Sequence, residues 1–153
     1  MAVAKLKLGT RTTLTTTALN SLASATYVNA GTITWNASSL VPVTSKLEVE
    51  VTPGTVASNK QVLVFARASM DGTNFTTGPT SGTTTTDEAN LIFIGAVPCN
   101  TNSTLQRGQF DLAAAFGGAL PHSAQIVIKN ETGAALAASG HAVYHTSVDG
   151  DVT

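Results

Sequence analysis

The chain has 153 residues, 11% charged and 42% hydrophobic, with eight basic against nine acidic side chains and a formal net charge of −1. That balance leaves no basic stripe to neutralise phosphates, which argues against nucleic acid as a partner, and no run approaches the ~18 apolar residues of a membrane-spanning helix. About a quarter of the chain is Ser or Thr, so solubility is expected to rest on hydroxyls and turn residues, as suits a surface covered by other protein copies.

A chain of this length is expected to form one domain, since folding at this size buries roughly 68–70% of the surface that the unfolded chain exposes. The first residues carry Lys5 and Lys7 but no apolar stretch long enough for a signal peptide, and the single Cys99 has no internal disulfide partner, so synthesis in a reducing cytosol is expected. Residues 1–24 are polar and Thr-rich, punctuated by Leu14, Leu19 and Leu22 without a regular period. They read as an extended N-terminal arm because branched Thr favours extended backbone, with Arg11, Leu14, Leu19 and Leu22 as its expected partner-contact residues and 25–153 as a β-sandwich domain.

From Tyr27 onward the period is two. Residues 45–51 alternate, with Leu47, Val49 and Val51 on one face and Lys46, Glu48 and Glu50 on the other, the pattern of a half-buried strand. Pro53-Gly54 marks a turn, and 61–69 is apolar at nearly every position, which predicts a central strand covered on both faces. Asp71-Gly72 predicts a hairpin turn, with Asn74-Phe75 starting a short return strand. The stretch 78–87 lacks apolar anchors and predicts an exposed threonine loop, 90–97 a buried strand ended by Pro98, and 109–112 a shorter strand. One helical turn within 111–118, closed by Gly117-Gly118, and strands at 124–130 and 139–147 complete the series. About seven or eight strands with no helix long enough for a parallel crossover predict an all-β, antiparallel two-sheet sandwich. A jelly-roll-like Greek key is the favoured wiring, since the Cys…Trp…Cys spacing of an immunoglobulin domain is absent.

No catalytic constellation is visible. His141 and His145 lie roughly 13 Å apart in an extended strand at ~3.3 Å per residue, too far for one metal ion. Asp149 and Asp151 lack the ligand pattern of a calcium loop and read as a frayed polar terminus. No Gly-x-Ser-x-Gly elbow occurs, and no pair of carboxylates can be nominated for acid-base work. No metal, cofactor or enzymatic activity is expected.

The run Phe-Asp-Leu-Ala-Ala-Ala-Phe-Gly-Gly-Ala-Leu-Pro at 110–121, followed by Gln-Ile-Val-Ile-Lys-Asn-Glu-Thr-Gly-Ala-Ala-Leu at 125–136, resembles the C-terminal half of small virion structural proteins of tailed bacteriophages. The segment Ala-Ser-Met-Asp-Gly-Thr-Asn-Phe at 68–75 is similar to the Ser-x-Asp-Gly-x-Asn-aromatic hairpin of many phage β-domains. The resemblance implies a non-enzymatic, many-copy virion component, foremost a capsid decoration or cement protein. Its partners would be the major capsid protein, other virion proteins, and further copies of itself in a homo-oligomer such as a trimer. A tail, baseplate or fibre-base protein is the alternative, and a carbohydrate or host-receptor binding module a further one.

Overall fold

A computed structural model describes residues 4–35, 42–57 and 59–152; parts of the two expected units, at 1–3, 36–41, 58 and 153, lie outside the described residues. The strands are β1 (Ala4–Leu8), β2 (Thr12–Thr15), β3 (Tyr27–Thr34), β4 (Thr44–Val51), β5 (Gln61–Ser69), β6 (Ser81–Gly82), β7 (Ile92–Pro98), β8 (Gln106–Asp111), β9 (Ser123–Asn130) and β10 (Ala142–Val152). One sheet runs β1-β10-β4-β8 with β2 also on β10, the other β6-β3-β9-β5-β7, and every pairing is antiparallel.

The pairings have a simple origin. Ala4 faces Val152, Tyr27 faces Lys129, Lys46 faces Asp111 and Gln61 faces Pro98, so the two positions of each pair add to between 156 and 159. The chain is thus one long antiparallel ribbon folded back near its middle, with β1 and β2 on β10, β3 on β9, β4 on β8, and β5 on β7. Rolling that ribbon lays β10 against β4 and β9 against β5. This is jelly-roll wiring: two sheets whose strands come from both halves of the chain, with Greek-key connections crossing between them. The all-β, antiparallel two-sheet sandwich expected from the sequence is the observed fold.

Local sequence explains the layers. On β4, Leu47, Val49 and Val51 are fully buried while Lys46, Glu48 and Glu50 point outward. Val62, Val64 and Ala66 of β5 and Ala124, Ile126 and Ile128 of β9 meet them from the opposite sheet, each large aliphatic contributing roughly 1.5–3 kcal/mol on burial. The outer face of the second sheet is covered too: Tyr27, Phe65, Leu91 and Val127 form a smaller cluster beneath the segment carrying the 3-10 turn Glu88–Asn90. That cover is why β5 is apolar at both parities. The sandwich closes where β2 meets β3, at Gly31, whose φ of 127° suits a β-bulge and where a Cβ would lie 3.2 Å from that of Leu14. It closes again where Phe110 of β8 packs over Gly95 of β7, with no room for a side chain there.

The expected free arm does not exist among the described residues. β1 and β2 lie end to end along β10, and the Thr15 hydroxyl accepts the Thr17 and Ala18 N–H groups, turning the chain so that Leu19 and Leu22 enter the main core. Ser21 N–H donates to Ala137, and Leu22 carbonyl accepts from both Leu136 N–H and the Asn130 amide. The described residues of 1–24 therefore do not separate from those of 25–153 as a unit. The frayed terminus expected around Asp149 and Asp151 is also corrected, since β10 continues through them in pairing with β1. Leu19→Ala should destabilise the fold by about 2–5 kcal/mol, as for any filled core position, and deletion of 1–24 should abolish cooperative unfolding; urea denaturation of both variants checks this.

Candidate interaction surfaces

The outer face of the first sheet concentrates charge. Arg11, on the stretch between β1 and β2, reaches across β10 to Glu48 and Glu50 of β4, its guanidinium 3.4 Å above the Tyr144 ring. Arg107 of β8 bonds Glu50 at 2.7 Å, the Gln109 amide donates to Glu48, and Lys46 pairs with Asp111. Three cations and three carboxylates thus cancel on one face. The Glu48 hydrogen bond raises Arg11 further above its ordinary pKa, while Glu48, despite burial, is lowered by Gln109 and Arg11. A shallow depression of about 300 Å³ lies among Leu8, Arg11, Lys46, Gln109, Tyr144 and Thr146. Its charged rim is already paired.

Asp111 has a second task. Its carboxylate accepts the Thr44 hydroxyl at 2.7 Å and the Ala114 N–H at 3.1 Å, capping the single turn α1 (Leu112–Ala115) that Gly117 and Gly118 close by donating to Ala114 and Ala113. The Lys46 bond, then the Thr44 bond and the cap, pull its pKa down to about 2 from the ordinary 3.8.

On the other sheet Lys129 is nearly buried, its Nζ 2.9 Å from Glu131 and 3.2 Å from Glu88, and 4.9 Å from the Tyr27 ring centroid. Burial works against its charge, but the bonds it donates to Glu131 and Glu88 outweigh that and raise its pKa. Held charged, the amine is no nucleophile; it clamps the Glu88–Asn90 turn, and with it the threonine loop, onto the sheet. Residues 81–87 of that loop are exposed, as expected.

The remaining sequence candidates are structural. Asp71 accepts the Thr73 and Asn74 N–H groups, the Asn74 amide and the Ser69 hydroxyl, which holds its carboxyl well below the usual range and builds the hairpin turn. His141 accepts the Thr52 N–H on Nδ1 and donates from Nε2 to Ala137, a fixed tautomer that ties β10 to the end of β4. Burial lowers the His145 pKa and pushes the Cys99 thiol up to about 11. Among the described residues no group of three or more His, Cys, Asp or Glu is placed to hold a metal ion, and no helix is long and apolar enough to cross a membrane. An open apolar groove of about 320 Å³ lies between Met70, Ile92, Phe116, Leu120 and Pro121.

The four expected contact residues do not converge. Leu19 and Leu22 are core, Leu14 is half-buried against the bulge at Gly31, and Arg11 belongs to the charge lattice. Exposed apolar side chains occur instead at Leu6, Leu8, Val43, Met70, Phe93 and Leu105. The alternation Lys5-Leu6-Lys7-Leu8 was the available signal for the first of these. Comparison with known protein families, curated proteins and solved structures finds no match to this chain.

Asp111→Asn keeps a capping side chain but removes the Lys46 pair, at a cost of about 1 kcal/mol or less at neutral pH. Because the folded carboxyl titrates below its unfolded value, its contribution is present above about pH 4 and fades as pH falls toward 2. Thermal melts of the two proteins should therefore differ most at pH 7 and converge at pH 2.

Proposed function

We propose that this chain is a non-enzymatic structural protein of a tailed-bacteriophage virion, a capsid decoration or cement protein that stabilises the head by bridging capsomers. The observation that carries this reading is the jelly roll itself, an architecture used in viral capsid domains, here with phage-like segments forming its Asp71 hairpin and its β8–α1–β9 connection. A fold hosts many functions, so the surface matters as well. Arg11, Lys46, Glu48, Glu50, Arg107 and Asp111 neutralise one another on one face, and apolar side chains stand exposed elsewhere. Both features suit contact with protein rather than with a charged polymer. A cement protein binds only the assembled shell, and so shifts the equilibrium toward it.

The exposed threonine loop favours the second reading, a tail, baseplate or fibre-base protein, in which that loop meets the partner. The carbohydrate reading loses its platforms: Trp35 and Tyr27 are buried, and Tyr144 lies under Arg11. Incubating the protein with undecorated capsids and pelleting the shells tests the first reading. The cement assignment predicts saturable co-sedimentation and a higher disruption temperature for the shells; protein left wholly in the supernatant contradicts it.

A further inference from the structure

An Asp-Gly pair isomerises more readily than other Asp-x pairs, because glycine carries no side chain to hinder its own nitrogen. The glycine nitrogen attacks Cγ of the aspartic acid, a C–N bond forms, the Cγ–OH bond breaks, and water leaves with the amide proton. A second water opens the resulting succinimide. Opening at the main-chain carbonyl leaves an isoaspartate, whose backbone is longer by one methylene.

The chain holds two such pairs, Asp71-Gly72 and Asp149-Gly150. The first lies exposed at a hairpin turn, open to water. Both of its reacting groups are nevertheless engaged. The Gly72 N–H donates to the Ser69 hydroxyl at 2.9 Å, and that hydroxyl donates to Asp71 Oδ1, also at 2.9 Å. Oδ1 accepts the Thr73 and Asn74 N–H groups at 2.8 and 2.7 Å, and Oδ2 accepts the Asn74 amide at 2.6 Å. The attacking nitrogen thus aims its hydrogen at a buried oxygen. The oxygen that has to leave as water must first be protonated, and these bonds keep the carboxyl ionised well below the usual range. The ring of His122 backs the turn as well, since a Cβ at Gly72 would lie 2.6 Å from it.

We propose that Asp71 is a latent isoaspartate site that Ser69 keeps shut. Ser69 bonds both the nucleophile and the electrophile, whereas Thr73 and Asn74 bond the carboxylate alone. Its position is fixed by the fold: it is the last residue of β5, opposite Ser123 of β9, and is 1% exposed, so water does not compete for its hydroxyl. An added methylene would carry the carboxylate off its donors and open the hairpin. The inference goes beyond the virion reading and stands independently of it.

The test is incubation at neutral pH, well below the melting temperature, followed by peptide mapping, in which isoaspartyl peptides separate from aspartyl ones of the same mass. Asp71 should isomerise several-fold more slowly in the folded protein than in urea, where Asp149-Gly150 supplies the unhindered rate of the same pair. Ser69→Ala should raise the folded rate about tenfold, the loss of a buried hydrogen bond expressed as a rate. Asn74→Ala, which removes only the bond to Oδ2, should raise it less. Leu19→Ala weakens the whole fold without touching the turn and should leave the rate unchanged. An Asp71 that reacts as fast folded as in urea, a Ser69→Ala protein that reacts at the parent rate, or equal acceleration by Leu19→Ala overturns the proposal.

Discussion

Each strand of this molecule is paired by a strand from the opposite half of the chain, and the rest of the architecture depends on that nested pairing. Because the partner positions add to nearly the same number from Ala4–Val152 to Gln61–Pro98, no terminal piece is dispensable. The first strands flank β10, β10 flanks β4, and β4 supplies Leu47, Val49 and Val51 to the core. A pairing of this kind is dominated by contacts distant in sequence, which costs loop-closure entropy before burial rewards it. The Asp71 turn, whose hydrogen bonds all lie within residues 69–74, is a local element beside the fold-back that can form before the distant strands meet.

The same pairing explains what the sequence made legible. β4 and β5 were readable because burial on one face or two leaves a period of two or a continuous apolar run, and the Asp71-Gly72 turn because its side-chain chemistry is local. The role of 1–24 was not readable: Leu19 and Leu22 reach the core from a turn held by the Thr15 hydroxyl and by bonds to Asn130 and Ala137, partners more than 100 positions away. A turn that plugs a core has no period. Arg11 was expected to contact another protein, but its ion pairs lie within the chain, on Glu48 and Glu50 of β4. The exposed leucines were half legible, since the alternation at 5–8 was present in the sequence while the pairing of β1 with β10 that turns Leu6 and Leu8 to solvent was not.

Charge is distributed with economy. Six of the seventeen ionisable carboxylates and cations counted among Asp, Glu, Lys and Arg cancel on the outer face of one sheet, and Lys129 with Glu88 and Glu131 fastens the cover on the other. The leucines of β1, Leu6 and Leu8, face solvent.

Amide hydrogen exchange followed residue by residue tests the central claim most directly. Nested pairing requires the bonded amides of Thr12–Thr15, Ser21 and Leu22 to exchange as slowly as those of β4 and β9, through global unfolding. Free exchange across 12–22 beside a protected 44–51 and 123–130 would show a detached arm on an independent sandwich, and would contradict the account.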